Sequence, residues 1–355
     1  MGTSKTVSKK HKFPYKWNLS DGYPATGIEH HGSKVFGTFV CGGGSTMGYK
    51  LAGFDHFGGV EIDPKVAEVY RINHNPKHLF IEDIREFNKR EDLPPELYDL
   101  DLLDGSPPCS SFSMAGNREK DWGKKKQFRE GQELQRLDDL VFEYVRTIEK
   151  LQPKVALLEN VKGLIQGNAK AYAKNLKKAF EAAGYRVQVF LLNAASMGVP
   201  QKRERVFFIG QREDLGLPEL SLWFNEPSIP FIETRPTGSG INAKGKDLDY
   251  WANTNKKGRA SVDRTGNTWG FLYRAKNNLV CATLVSQSRY FIDDAPFEFV
   301  CSDYCKVGSY PLDYNFKEIE PKYLIGMSVP PVMTAQIARQ IWLQWLSKIA
   351  QKTGD

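Results

Sequence analysis

One cysteine of the sequence lies in a setting that suits a nucleophile. Cys109 follows an apolar stretch, residues 98–103, which predicts a buried strand. Gly105 ends that strand, and Pro107 and Pro108 stiffen the backbone ahead of the thiol. Ligands of an open α/β sheet bind at the carboxyl ends of its strands, so this thiol is placed to attack a bound substrate. The alternative is a buried cysteine that packs as a small apolar side chain.

A glycine-rich loop indicates a second chemical feature, a nucleotide-like cofactor. Residues 35–40 predict a first strand, and glycines 42–44 follow it just before a short helix. Glu61 ends the next strand about 20 residues later, where a carboxylate can hold ribose hydroxyls. Enzymes that use NAD and enzymes that use S-adenosylmethionine both have this arrangement. Asp83, after a third strand, suits either an adenine amino group or the N-cap of a helix.

Two polar motifs follow later strands. Glu159-Asn160-Val161 ends an apolar strand, so Glu159 should face the same sheet edge as Cys109. The run Gln201-Lys202-Arg203-Glu204-Arg205 opens the strand 206–209. Alternating charges at a strand start are also common on ordinary exposed surfaces, so this run is informative only together with the other motifs.

The regular alternation of strands and helices predicts an α/β fold, and it stops near residue 211. Proline, glycine, asparagine and tryptophan then dominate, and basic residues lie among aromatic ones at 244–274, a mixture that suits nucleic acid. A helix with an apolar stripe is predicted at 334–349, and its pattern is again that of the helices in the first part of the chain. We therefore expect a flexible basic N-terminal arm at 1–33, a catalytic cofactor-binding domain at 34–211, a smaller, irregular, mostly β domain at 212–318, and a C-terminal segment at 319–355 that returns to the catalytic domain.

The composition is that of a soluble globular protein with a modest basic excess. The chain has 355 residues, 41% of them hydrophobic, and a formal net charge of +7, which suits a polyanionic partner. No apolar run approaches the length of a membrane span, and the N-terminus lacks the apolar core of a signal peptide. Five scattered cysteines favour a reducing compartment, so we expect a cytoplasmic protein. Cys281, Cys301 and Cys305 do not form a zinc pattern, and we expect no metal.

The set of motifs, in this order, resembles the cytosine-5 DNA methyltransferases over about residues 35–346. Pro108-Cys109, Glu159-Asn160-Val161, Gln201-x-Arg203-x-Arg205 and the loop 326–331 carry the resemblance. It implies a Rossmann-like, S-adenosylmethionine-dependent methyltransferase sheet, with 212–318 as a target-recognition domain for double-stranded DNA. It also implies a restriction-modification type of enzyme that is encoded by a bacterium or a phage.

The resemblance also implies roles for individual residues. Cys109 would attack C6 of a cytosine that is flipped from the duplex, and C5 would receive the methyl group. Glu159 would supply a proton or hydrogen bond at N3 and contact the exocyclic amine, and Arg205 would contact the O2 edge. Arg203 would orient the loop or a phosphate. The residues that would bind the cofactor are Phe39, Gly43, Gly44, Glu61, Ile62, Asp83, Ile84, Pro108 and Ser328.

The sequence departs from the family pattern at three places. Cys41 replaces the first glycine of the cofactor loop, and Met327 replaces the asparagine that usually precedes the serine at 328. Both changes bear on cofactor contacts. Ser110-Ser111 stands where many members have Gln-Gly, which bears on how the gap left by a flipped base is filled.

Three alternatives remain at this level. An NAD dehydrogenase would leave Cys109 and the arginine motif without a role. A tRNA cytosine-5 methyltransferase would use every catalytic residue named above, although the insert of about 100 residues favours a duplex DNA whose sequence must be read. A silent DNA-binding relative would be expected to lack the cysteine or the glutamate, and both are present. We expect a monomer, and the sequence leaves open whether a cognate restriction endonuclease exists.

Overall fold

A computed structural model describes residues 11–108, 125–126, 135–136, 139–167, 169–237, 242–254, 258 and 272–353. Cys109 and the serines that follow it lie outside the described residues, so their predicted roles stay predictions. The same holds for most of the basic and aromatic residues predicted at 244–274.

The described strands are β1 Lys34–Thr38, β2 Asp55–Glu61, β3 His78–Ile81, β4 Leu102–Gly105, β5 Lys125–Lys126, β6 Gln135–Arg136, β7 Val155–Val161, β8 Tyr185–Asn193, β9 Glu204–Arg212, β10 Leu272–Arg274 and β11 Arg289–Phe291. Seven of them form one mixed sheet in the order β3-β2-β1-β4-β7-β9-β8. β1 pairs in parallel with β2 and β4, as β2 does with β3 and β4 with β7, whereas β7 and β9 are antiparallel.

Ten α-helices accompany the strands in the described residues. The predicted start of the second helix is confirmed, since the Asp63 carboxylate accepts from the Lys65 N–H at 2.9 Å and Pro64 occupies the first turn. The helices are α1 Gly44–Leu51, α2 Pro64–His74, α3 Ile84–Lys89, α4 Leu140–Leu151, α5 Ala169–Ala182, α6 Lys246–Ala252, α7 Cys301–Gly308, α8 Pro321–Met327, α9 Pro331–Ile341 and α10 Ser347–Thr353. A π-helical turn, Trp342–Leu346, joins the last two. None of the described helices is long and apolar enough to cross a membrane.

The sheet has its core where the sequence is most apolar. β4 is buried along its whole length, and Phe36 of β1 stacks on Phe87 of α3 at a ring distance of 5.8 Å. Burying such a side chain stabilises the fold by about 1.5–3 kcal/mol. The strand order reverses between β1 and β4, because β1 leads outward to β2 and β3 while β4 lies on its other side. In doubly wound sheets, ligands bind beyond the carboxyl ends of the strands at this switch point.

The chain divides into two compact units, each made of three segments. The sheet unit contains Glu29–Leu192, Glu204–Leu222 and Ile337–Asp355. The second unit contains Met1–Ile28, Asn193–Arg203 and Trp223–Gln336.

The fold class is confirmed: a mixed α/β sheet is accompanied by a less regular unit. In its described part, the second unit has one parallel two-stranded sheet, β10 with β11, beside α6, α7 and α8, so strands do not predominate there. Its small core joins Ala243, Tyr250, Leu272 and Phe291. The predicted domain limits and the target-recognition role of 212–318 stay predictions.

The prediction of a flexible N-terminal arm is wrong for residues 11–33. Phe13 is fully buried, and Trp17 is buried and donates its indole N–H to the Ser309 carbonyl at 3.2 Å, within the second unit. In the sheet unit, His31 stacks on Trp342 with ring centroids 3.7 Å apart. The prediction was based on the many polar residues of this segment and overlooked its few aromatic ones. The burial of these aromatic side chains is sufficient to order the segment.

Candidate active site

The glycine loop after β1 has a tightly constrained backbone. Gly43 caps α1 at φ +71°, and a Cβ there would lie 2.1 Å from Nε2 of His74, so only glycine fits. Cys41 and Phe39 adopt left-handed angles of +47° and +58°, which are strained for these residues. Burial lowers the pKa of His74 to about 3, so a neutral ring supports the loop. The packing of the His74 ring against Gly43 thus holds the loop in one conformation.

Glu61 binds the main chain of this loop from the end of β2. One carboxylate oxygen accepts from the Cys41 N–H and the other from the Asp63 N–H, each at 2.9 Å. Burial raises the pKa of Glu61 to about 7, although these N–H groups favour its charged form. A carboxylate has about four acceptor sites, so Glu61 retains the capacity to accept ribose hydroxyls.

The remaining residues predicted to bind the adenosine part differ in exposure. Ile62 is 38% exposed at the end of β2, where an apolar contact is available, and Phe39 is half-buried. The Ile84 side chain is buried in the core, so a contact from Ile84 would come from its main chain. Asp83 caps α3 by accepting from the Arg85 N–H at 2.8 Å and pairs with the Arg85 guanidinium at 2.9 Å. The N-cap alternative is therefore present, and the adenine contact stays a prediction.

The proline loop that leads to Cys109 is fastened to β7 by Asn160. The Asn160 amide donates to the Pro107 carbonyl at 3.1 Å, and its Oδ1 accepts from the Val161 N–H at 2.8 Å. The side chain is 2% exposed. Sequence reasoning quoted Asn160 within a motif and gave it no role of its own. Pro108 is the last described residue before the nucleophile candidate, and its predicted cofactor contact is untested.

We expect Asn160→Ala to lower the free energy of unfolding by about 1–3 kcal/mol, because the buried Pro107 carbonyl and the half-buried Val161 N–H lose their partner. Urea unfolding followed by tryptophan fluorescence measures the change. The exposed Asn253 in the second unit, whose amide donates to the Asp249 carbonyl at 2.8 Å, is the matched control. Asn253→Ala should change the stability by less than about 0.5 kcal/mol. Equal effects of the two variants would contradict the anchoring role of Asn160.

Glu159 and Arg205 form an ion pair at the carboxyl end of β7. Arg205 Nε lies 2.8 Å from Glu159 Oε1, and the two side chains are only 13% and 10% exposed. The antiparallel pairing of β7 with β9 places Val161 opposite Arg205 and so brings the two motifs together. Burial lowers the pKa of Arg205 and the neighbouring carboxylate opposes that effect. The structure thus joins two of the predicted catalytic residues.

The contacts of Arg203 agree with the loop role that the resemblance implies for it, and a direct part in catalysis stays a prediction. Its guanidinium is 1% exposed and donates to the Leu284 carbonyl at 2.8 Å and the Gly326 carbonyl at 3.0 Å, all within the second unit. A group that is buried and used in this way positions main chain. A Cβ at Gly326 would lie 2.5 Å from the Ser286 nitrogen, so glycine is required beside this anchor.

Ser328, two residues further, is buried and donates its hydroxyl to the Leu324 carbonyl at 2.8 Å. This bond lies at the end of α8 in the second unit. The predicted cofactor contact of Ser328 stays a prediction.

Asp104 is a residue that sequence reasoning did not single out. Its carboxylate accepts from the Tyr49 hydroxyl at 3.1 Å, and the side chain is buried in the sheet unit. Burial raises the pKa of Asp104 to about 7. An acidic residue inside the apolar strand β4 is the sequence signal that could have drawn attention to it. Across the described residues, no cluster of three or more histidine, cysteine or acidic side chains could hold a metal ion.

Curated relatives match about half of the chain. The Type II methyltransferase M.FnuDI of Fusobacterium nucleatum is 38% identical over 188 residues, which are 52% of this chain and 48% of that protein. The orphan methyltransferase M.SPRI of Bacillus phage SPR is 38% identical over 170 residues, 48% of this chain and 34% of that protein. The match therefore spans half or less of the length of these relatives.

Solved structures share the fold. A protein described as a DNA modification methyltransferase encoded within an E. coli prophage superposes with a TM-score of 0.65 at 19% identity, covering 88% of this chain and 99% of that one. The S. pombe Dnmt2 methyltransferase gives a TM-score of 0.56 at 16% identity, with coverages of 88% and 99%.

A family model decides the assignment. The model described as C-5 cytosine-specific DNA methylase matches residues 34–342, which include the glycine loop, the proline loop and the two polar motifs around Glu159 and Arg205. The chain therefore belongs to the C-5 cytosine-specific DNA methylase family.

Proposed function

We propose that the protein is a site-specific DNA (cytosine-5-)-methyltransferase. The observation that carries the proposal is the buried ion pair between Glu159 and Arg205. Glu159 directly precedes Asn160, whose amide anchors the proline loop that leads to Cys109. A cation and a carboxylate at one strand end provide a donor and an acceptor for the edge of a flipped pyrimidine. The family membership supports the same reaction.

The cofactor in this proposal is S-adenosylmethionine, which supplies the methyl group. The residues around the glycine loop fit it, because Glu61 has acceptor capacity for ribose hydroxyls and Ile62 offers an apolar surface for adenine. Gly43 and Gly44 bring the main chain close, as a ligand at the switch point requires.

The nucleophile in this proposal is Cys109. Cytosine C5 is a poor nucleophile, and addition of a thiolate at C6 makes C5 an enamine carbon that can accept a methyl group. A free thiol has a pKa of about 8.5, so the reaction needs an electropositive setting that raises the thiolate fraction. The Asn160 bond to Pro107 keeps the loop at the end of β4, where the attack takes place.

Glu159 and Arg205 then act on the ring. The charge that builds up on the pyrimidine after addition is stabilised by a hydrogen bond or proton at N3, which Glu159 supplies, and the carboxylate also reads the exocyclic amine. Arg205 donates to O2. When the base binds, these contacts compete with the ion pair that the two side chains form with each other. Loss of the C5 proton and of the cysteine completes the reaction.

The second unit is the region that would read DNA sequence. Arg274 stacks over Trp251 at 3.9 Å and pairs with Asp293 at 2.8 Å, so this described part holds a cation on an aromatic surface. Such surfaces suit nucleic acid. Relatives named Type II methyltransferases favour a restriction-modification role, although orphan methyltransferases are also among them, so an endonuclease partner is not part of the proposal. A monomer in the cytoplasm of a bacterial or phage-infected cell is the expected setting.

Fluorinated DNA tests this mechanism. With fluorine at C5, Cys109 still adds to C6 and C5 still receives the methyl group, but the last step would require loss of F⁺, which no side-chain base can achieve. We expect a covalent protein–DNA adduct on a pool of random duplexes that contain 5-fluorocytosine. The adduct should survive heating in detergent, appear as a shifted band, and require both S-adenosylmethionine and Cys109.

The same assay with fluorinated tRNA separates the substrates. A missing adduct on a duplex pool that covers all short sequences would refute the cytosine-5 DNA mechanism. An adduct on tRNA alone would replace it with the tRNA alternative. A methyltransferase that acts on the exocyclic amine would not be trapped on either substrate, because its chemistry does not involve C5.

A further inference from the structure

A buried carboxyl group lies beside the switch point and has no part in the mechanism above. Asp104 is the next-to-last residue of β4, and its parallel neighbour on β1 is Gly37. The residues that precede it in the strand, Leu102 and Leu103, are fully buried and apolar. A carboxyl group in such a strand costs folding free energy, so its presence calls for a functional explanation.

The side chain of Asp104 connects the strand to the helix that follows the glycine loop. It accepts a hydrogen bond from the Tyr49 hydroxyl of α1, and the Ser45 hydroxyl of α1 and the Gly105 N–H also favour its charged form. The Thr38 hydroxyl of β1 donates to the Asp104 carbonyl at 3.2 Å. The cofactor loop and the strand that leads to the proline loop are therefore joined through this residue.

The groups that give hydrogen bonds to the Asp104 carboxylate are neutral. Hydroxyl and peptide N–H groups orient and stabilise a carboxylate, but they do not cancel its charge. Ionisable groups that interact with it come from α1, α2, α4 and β7, namely Tyr49, Tyr70, Tyr144 and Glu159. Burial, and after it the charge of Glu159, raises the pKa of Asp104 to about 7. A cation that arrives nearby would stabilise the ionised form.

We propose that Asp104 is a charge-selecting residue of the cofactor site, whose carboxylate, held by Tyr49, favours the sulfonium cation of S-adenosylmethionine over the neutral thioether of S-adenosylhomocysteine. This inference rests on the proposed function. The two molecules differ by one methyl group and one positive charge, so hydrogen bonds to adenine, ribose and the amino acid part cannot separate them by charge. A carboxylate in a poorly solvated position can, because charges interact strongly there over several ångströms. The consequence is easier release of the product.

Calorimetric titration of the full chain with each compound at pH 8 tests the inference. We expect Asp104→Asn, which keeps an acceptor for Tyr49, to weaken S-adenosylmethionine binding about tenfold, the effect of a partly screened charge pair. Binding of S-adenosylhomocysteine should change by less than about twofold, because no charge is lost against a neutral ligand. Tyr49→Phe, which removes one anchor of the carboxylate, should shift the same ratio about threefold.

Asp101, which directly precedes β4, supplies a matched control. Its carboxylate pairs with Lys154 at 2.7 Å, and Asp101→Asn should leave the ratio of the two affinities unchanged. An unchanged ratio of the two affinities in Asp104→Asn would overturn the inference. If both affinities fell equally, the role of Asp104 would be merely structural. If Asp104→Asn does not fold in a urea titration, the ratio in Tyr49→Phe decides in the same way.

The two proposals fail in distinguishable ways. A wild-type chain that binds neither compound would overturn the proposed function and this inference with it. A wild-type chain that binds both and forms the fluorocytosine adduct, but whose affinity ratio is insensitive to Asp104, would overturn this inference alone.

Discussion

Cys109→Ser should reduce methyl transfer by at least about 10³-fold, since a serine hydroxyl is far harder to ionise than a thiol. Affinity for S-adenosylmethionine should stay within about twofold of wild type, because most of the predicted cofactor residues lie on other strand ends, with Glu61 at the end of β2 and Gly43 after β1. Transfer of a labelled methyl group to duplex DNA measures the rate, and calorimetric titration measures the affinity.

An exposed cysteine is the control for this substitution. Cys301 begins α7 in the second unit, and Cys301→Ser should keep wild-type turnover. Turnover of Cys109→Ser within tenfold of wild type would remove the thiol from the chemistry. Loss of cofactor binding in the same variant would instead show that Cys109 supports the fold of the cofactor site.

Glu159→Gln should lower the rate constant for methyl transfer by at least about 10²-fold, the usual scale for loss of a proton donor. The amide keeps the size of the side chain and cannot deliver a proton to N3. It also leaves the buried Arg205 guanidinium without its carboxylate partner, which costs stability. Single-turnover rates at a temperature where both proteins are folded separate the two effects.

Glu204 supplies the matched control for Glu159. It lies beside Arg205 in sequence but forms an exposed ion pair with Lys162 at 3.0 Å, so Glu204→Gln should keep the wild-type rate. Glu159→Asp, which retains the charge and shortens the reach, should fall between wild type and Glu159→Gln. A rate constant of Glu159→Gln equal to that of wild type would exclude Glu159 from the proton transfer.

Local patterns predicted most strands of the sheet, although β4 runs over Leu102–Gly105 and the strand was predicted at 98–103. The apolar run at 155–158 lies within β7, and Asp63 with Pro64 marks the start of α2 as predicted. These features depend on neighbours within a few residues, and such signals are the ones that sequence reasoning reads well. The family resemblance supplied the remaining site residues, and the structure brings Glu159 and Arg205 together.

Contacts between distant segments could not be predicted. The resemblance named the loop as one partner of Arg203, but the two carbonyls that accept from it lie 81 and 123 residues further along the chain and left no local signal. The burial of Trp17 depends in the same way on Ser309, far away in the sequence. Asp104 differs from both, because an acid in an apolar strand is a local signal whose partner, Tyr49, could not be named without the fold.

The order of the segments along the chain constrains when the sheet unit can finish folding during synthesis. The sheet unit is interrupted twice, and its last segment, Ile337–Asp355, comes after the whole of Trp223–Gln336. Trp345 in that last segment donates to the Pro218 carbonyl at 2.8 Å, and Trp342 stacks on His31. A ribosome that has made only the first 336 residues therefore carries a sheet unit without these contacts. A premature stop or a C-terminal protease cut before Trp342 would remove these contacts from the sheet unit, most of which is synthesised before Trp223–Gln336.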